Sequence, residues 1–140
     1  MADCVFCQII AGSLPAHIVA DTDRGVAFLD ARPVFPGHVL VAPREHVVTL
    51  PDLPLDQIDG YFRLVRRVAA AVPAALDAAG TFVAINNVVS QSVPHLHTHV
   101  VPRTKGDGLR GFFWPRHRYP SDADAAGYAE RIRTALAAAP

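Results

Sequence analysis

The segment 95–101, His95-Leu96-His97-Thr98-His99-Val100-Val101, holds three of the chain's seven histidines at every second position. Alternation over a run that ends at Pro102 predicts a β-strand, in which successive side chains leave opposite faces. His95, His97 and His99 then share one face, and Leu96, Thr98 and Val100 the other. A strand rises about 3.3 Å per residue, so neighbouring imidazoles on one face stand roughly 6–7 Å apart. That is too wide for all three to close around one zinc at about 2.1 Å each. A division of labour is the remaining chemical reading: one ring binds metal or positions, one acts as nucleophile or base, and one stabilises charge. An exposed histidine-rich strand and a fortuitous metal patch stand beside it as plainer alternatives. Neutral imidazole suits attack at phosphorus near pH 7, provided that its second nitrogen donates to an acceptor.

Outward from this segment strands and helices do not alternate regularly. Val26–Asp30 reads as an apolar strand, and Arg32–Gly37 as a proline- and glycine-marked turn. His38–Ala42 is a further strand stopped by Pro43. From about Leu53 to Ala79, Leu55, Ile58, Phe62, Val65, Val68 and Val72 recur at helical spacing. Pro73 is expected to kink or shorten that helix, with Gly80 as its stop. Thr81–Ile85 predicts another strand. A last helix is expected from about Asp122 to Ala138, capped by Ser121 or Asp122. One long helix between two pairs of strands favours an α+β fold around an antiparallel sheet over a doubly wound parallel one.

At 140 residues, 51% hydrophobic and 19% charged, the chain is expected to be a single ordered domain over 1–140. Its last part, 103–140, reads as a tail and helix. A formal net charge of zero means that the surface as a whole does not attract polyanions, so nucleic acid is not an expected partner. Arg66, Arg67 and Asp77 interrupt the best apolar run, which argues against a membrane span. Asp3 stands where a signal peptide would carry positive charge, and a cytoplasmic location is expected. In that compartment Cys4-x-x-Cys7 reads equally as a redox pair, half of a metal site or two buried thiols.

The run HLHTHVV resembles the motif of the histidine triad (HIT) family, His-φ-His-φ-His-φ-φ, with Thr98 a mild departure from an apolar φ. Further blocks resemble the family in order: Cys4–Gly12, Leu14–Ala16, Ala27–Asp30, Pro36–His38, Pro43–His46, Gln91–Val93 and Pro102-Arg103. The resemblance implies an antiparallel sheet of about five strands and a homodimer. It also implies an enzyme in which His97 attacks the α-phosphorus of a nucleotide to form a nucleotidyl-imidazole, later released as the nucleoside monophosphate. By the same resemblance the His95 carbonyl orients His97 and His99 donates to phosphate oxygens. Gln91 and Ser92 would sit at the phosphate and leaving group. Ile9, Leu14 and Phe28 would form an apolar slot for the base, and Asp30 would accept from the ribose hydroxyls.

Zinc-containing relatives imply a structural zinc on Cys4, Cys7, His46 and His95, a closed S₂N₂ set. The competing account leaves His46 hydrogen-bonded in the active site and both thiols reduced and packed. His38 is expected to be a structural hydrogen-bonding residue, while His17 and His117 receive no role. The segment ahead of Gln91, Asn86-Asn87-Val88-Val89-Ser90, is shortened and lacks the family's glycine. Either asparagine stands as the phosphate contact.

The basic, aromatic stretch 103–118 reads either as a loop carrying Trp114 toward the leaving group or as an interface loop. The resemblance implies a purine nucleoside 5′-phosphoramidate, or a similar adenosine 5′-phosphate derivative, as substrate. Diadenosine polyphosphate hydrolysis or phosphorolysis is the enzymatic alternative, and a nucleotide-binding sensor with little turnover is the alternative of another class.

Overall fold

The computed structural model describes residues 3–109 and 116–138. The chain divides into two compact units between Asp107 and Gly108. The first contains a five-stranded antiparallel sheet in the order β1-β2-β3-β5-β4. Its strands are β1 (Ile18–Asp21), β2 (Gly25–Leu29), β3 (Val39–Pro43), β4 (Gly80–Ala84) and β5 (Thr98–Arg103). A short helix α1 (Val5–Ile10) precedes them, and the long helix α2 (Leu55–Leu76) joins the β1–β3 meander to the β4–β5 pair. The α+β antiparallel architecture expected from the sequence is the one observed.

β2 and β3 lie centrally and are buried on both faces, which is why Val26–Phe28 and Val39–Ala42 read as unbroken apolar runs. Ala27, Val39 and Val41 pack toward α2, against Leu64, Val65, Val68 and Val72. Val26, Phe28, Leu40 and Ala42 face the other way, where Phe6, Ile9 and Ile10 of α1 cover them. α1 and β1 carry no clear period in the sequence and were not anticipated.

Three expectations are corrected. The strand carrying the histidines begins only at Thr98, so His95, Leu96 and His97 lie just outside the ladder. The alternation of faces nonetheless holds: Leu96 and Val100 enter the α2-side core, while His95, His97 and His99 meet the α1 side or each other. Second, Pro73 does not end α2. The helix runs three residues further and closes on Asp77 in the left-handed conformation (φ 52°), whose N–H bonds to the Pro73 carbonyl. Gly80 instead opens β4. Third, the buried stripe of α2 is Tyr61, Leu64, Val65, Val68 and Val72, while Leu55, Ile58 and Phe62 stay exposed at 84%, 38% and 36%.

Gly37 illustrates a local requirement. Its φ is +95°, and a Cβ there would stand 2.1 Å from Leu76 Cδ1. Only glycine permits this turn, which delivers His38 to the head of β3.

The second unit contains α3 (Asp122–Ala138), capped by the Ser121 hydroxyl accepting from the Asp124 amide at 3.1 Å. Asp122 and Asp124 in the first turn suit the helix dipole. No described helix is long and apolar enough to cross a membrane.

Candidate active site

α1, the segment 14–17 ahead of β1, the end of β2 and the histidine segment line a cavity of about 800 Å³. Ile9, Leu14 and Phe28 form apolar wall, and Asp30, Ser92, His97 and His99 supply polar groups. The structure thus brings together seven of the residues singled out in the sequence. Gln91, Asn86 and Asn87 are not in that wall, and their amides engage the backbone of neighbouring loops. Gln91 accepts from the Val88 amide at 2.9 Å and donates to the Val48 carbonyl at 2.6 Å. Asn87 accepts from the Leu50 amide at 2.8 Å, and Asn86 donates to the Ser90 carbonyl at 3.4 Å. The loop without glycine still needs left-handed backbone, which Val88 (φ 69°) and Ser90 (φ 62°) adopt. For a β-branched valine this is a strained conformation.

The ring tautomers follow from obligatory donors. His97 Nδ1 lies 2.7 Å from the His95 carbonyl, which can only accept, so Nδ1 carries the proton and Nε2 keeps a lone pair. The Val34 amide donates to His38 Nδ1 at 3.1 Å, so His38 carries its proton on Nε2. That proton is donated to His99 Nδ1 at 2.9 Å. His99 therefore presents Nε2–H as a donor, beside His97 at a ring separation of 4.9 Å. His38 is the hydrogen-bonding residue expected, but its partner makes it part of the site. The register Leu40↔His99 puts the two rings on neighbouring strands, which no sequence period reveals.

Burial, then His97 and His38 alongside, push the His99 imidazolium down to about 4. Burial also lowers His38, against the pull of Asp30, whose carboxylate lies 3.6 Å from Nδ1. Both rings are neutral at pH 7 and serve as oriented dipoles. Phe6 closes the back of the site, edge-on to His97 at 5.0 Å and to Phe28 at 5.2 Å. Phe6 and His17, both in the cavity wall, were given no role in the sequence reading. For Phe6 the signal was its place inside the Cys4–Gly12 block.

Behind the cavity the four expected metal ligands converge. The potential ligand atoms of Cys4, Cys7, His46 and His95 all lie within 4.8 Å of one another. Cys7 Sγ is 3.3 Å from His46 Nδ1 and 3.5 Å from His95 Nδ1, and Cys4 Sγ is 3.5 Å from His95 Nδ1. With Zn–S of about 2.3 Å and Zn–N of about 2.05 Å, the S···N edge of a tetrahedron is about 3.5 Å. His95 Nε2 donates to the Pro43 carbonyl at 2.9 Å, which turns the Nδ1 lone pair toward the sulfurs. The donor set is compatible with zinc. Trp114, with the rest of 110–115, falls outside the described residues.

Residues 11–106 match the HIT domain family. The chain is 32% identical over 127 residues to a Schizosaccharomyces pombe protein named adenosine 5′-monophosphoramidase, spanning 89% of this chain and 92% of that one. A crystal structure of a HIT family member from Bacillus subtilis superposes with a TM-score of 0.85 at 33% identity, covering 94% of this chain and 96% of the other. A zinc-bound histidine triad protein from Mycobacterium smegmatis gives 0.73 at 34% identity over 99% of both chains. With its triad geometry and its match over most of its length, the chain belongs to the HIT family.

Proposed function

We propose that the protein is a nucleotide hydrolase or transferase acting at the α-phosphate of purine nucleoside 5′-phosphoramidates. The observation that carries this reading is the His97 hydrogen bond to the His95 carbonyl, which leaves Nε2 as an unprotonated nucleophile in the cavity. The Nε2 lone pair forms a bond to phosphorus as the P–N bond to the leaving amine breaks. The bonding pair departs with that nitrogen, which takes up a proton through the Ser92 hydroxyl. His99 Nε2–H donates to a non-bridging oxygen, where charge builds up. Water then attacks phosphorus, the P–Nε2 bond breaks with its pair returning to His97, and the water's proton replaces the one taken by the amine. Ile9, Leu14 and Phe28 hold the base and Asp30 accepts from the ribose hydroxyls. Gln91, Asn86 and Asn87 support phosphate binding through the loop that they brace.

Zinc on Cys4, Cys7, His46 and His95 would supply a structural cross-link with no open coordination position. The residues themselves tie the N-terminal segment to His95, whose carbonyl orients the nucleophile. The reading includes a cytoplasmic location and a homodimer, the latter supported by the exposed Leu55, Ile58 and Phe62 of α2 and Val83 of the edge strand β4. Phe62→Glu is expected to yield monomer in sedimentation, and an unchanged mass would reject that interface.

The deciding experiment follows AMP release from adenosine 5′-phosphoramidate and from diadenosine tetraphosphate, with and without phosphate. Wild type is expected to favour the phosphoramidate, and His97→Ala to lose roughly a thousandfold or more. Preference for the dinucleotide would move the activity to polyphosphate cleavage, with phosphate-dependent ADP marking phosphorolysis. AMP binding without turnover of either would leave a sensor.

A further inference from the structure

Thr98, the one polar φ position of the triad motif, has a partner that the activity above does not use. Tyr61 of α2 is fully buried and Thr98 is 1% exposed. The Tyr61 hydroxyl lies 2.9 Å from the Val41 carbonyl on β3 and 2.6 Å from Thr98 Oγ1 on β5. A carbonyl only accepts, so the Tyr61 proton goes to Val41, and Thr98 must donate its own proton to the Tyr61 oxygen. The pair forms a directed chain, Thr98 to Tyr61 to Val41, inside the apolar layer between sheet and helix.

Its location gives it a task. The β3–β5 ladder has its last registered pair at Val41↔Thr98, and His97 is the next residue beyond it. On its other side, the Leu96 amide bonds to the Val47 carbonyl at 2.7 Å. The backbone around His97 is therefore held by a clamp at Leu96 and by the Thr98 side chain. An apolar contact at residue 98 would fill the space and tolerate sliding, whereas a hydrogen bond of 2.6 Å sets one rotamer and one separation.

We propose that Tyr61 and Thr98 are positioning residues, which lock the end of β5 to β3 and α2 so that His97 Nε2 and His99 Nε2–H converge on one phosphate. This extends the reading of His97 as nucleophile. Burial keeps the Tyr61 phenol protonated far above the physiological range, so the chain of donors persists at every working pH.

The test uses Tyr61→Phe, Thr98→Val and the double variant, each in the full chain. AMP release is measured at a temperature well below every melting transition, together with ¹⁵N imidazole spectra of His97 and His99. Each single variant is expected to lose about tenfold in kcat with KM within about twofold, because displacements well under 1 Å at a nucleophile already matter. Each should also shift the His97 and His99 resonances. Tyr61→Phe strands the buried Thr98 hydroxyl and the double variant does not, so the Tm of the double should recover relative to Tyr61→Phe while its kcat stays low. Full kcat and unchanged imidazole spectra in the single variants would overturn the proposal, as would joint recovery of kcat and Tm in the double. If the wild type turns over neither substrate, the proposed activity fails, and the imidazole spectra of the same variants still decide the positioning role.

Discussion

At the scale of single residues, His97, His38 and His99 are each constrained at one ring nitrogen, directly or through a neighbour, by a group that cannot reverse its role. The His95 carbonyl forces the His97 tautomer, and the Val34 amide forces that of His38 and, through it, His99. Keeping the His99 ring neutral has a thermodynamic consequence. The ordinary value of His99, 6.5, falls to about 4 in the folded chain, chiefly by burial. Between those limits the unfolded chain binds the extra proton, so folded stability rises with pH across that window. Stability is expected to be level with respect to this group above pH 6.5 and to decline as pH falls toward 4. His99→Gln should flatten that part of a urea-denaturation series taken against pH, and an equal slope in the variant would reject the assignment. The sequence singled out the three histidines of 95–99, since their spacing is local. It could not show that His38 completes the set, because its bond to His99 spans 61 positions.

At the scale of elements, α2 is the instructive case. Leu55, Ile58 and Phe62 recur at helical spacing, and so do Tyr61, Leu64, Val65, Val68 and Val72. Two adjacent apolar stripes satisfy the same period, so periodicity identifies the helix without choosing its buried face. The sheet chooses, and it takes the stripe bearing the Tyr61 hydroxyl. Pro73 lacks the N–H that would bond to the Ala69 carbonyl, yet α2 continues past it to Leu76, and the Pro73 carbonyl itself accepts from the closing Asp77 amide. The stop falls to Asp77, a non-glycine residue in left-handed backbone. Asp77→Gly should therefore stabilise the protein by about 0.5–1 kcal/mol, a rise in Tm of about 2–4 °C. Differential scanning calorimetry checks this, and a fall in Tm would show that the aspartate side chain contributes more than its backbone strain costs.

At the scale of the whole molecule, the N-terminal segment, the β3–α2 connection and the triad meet at the Cys4–Cys7–His46–His95 cluster. Metal analysis of protein purified without chelator is expected to give one zinc per chain, and Cys7→Ser to lose it. Removing zinc should cost roughly 2–4 kcal/mol at ordinary free-metal excess, a drop in Tm on the order of 10 °C. A Tm unaffected by chelator in metal-containing protein would reject a structural role. What the sequence by itself determined was everything carried by short-range pattern. That includes the α+β antiparallel class, the strands at Val26 and Val39, the last helix and the residue types around His97. Tertiary structure alone decided which face of α2 is buried, where the histidine strand begins, that Gln91 and the two asparagines bond to backbone, and that His38 bonds to His99 and Tyr61 to Thr98. The physical reason is common to all four. Alternation and helical period depend on neighbours in the chain, whereas burial and hydrogen-bond partners depend on which distant segment the sheet register brings opposite.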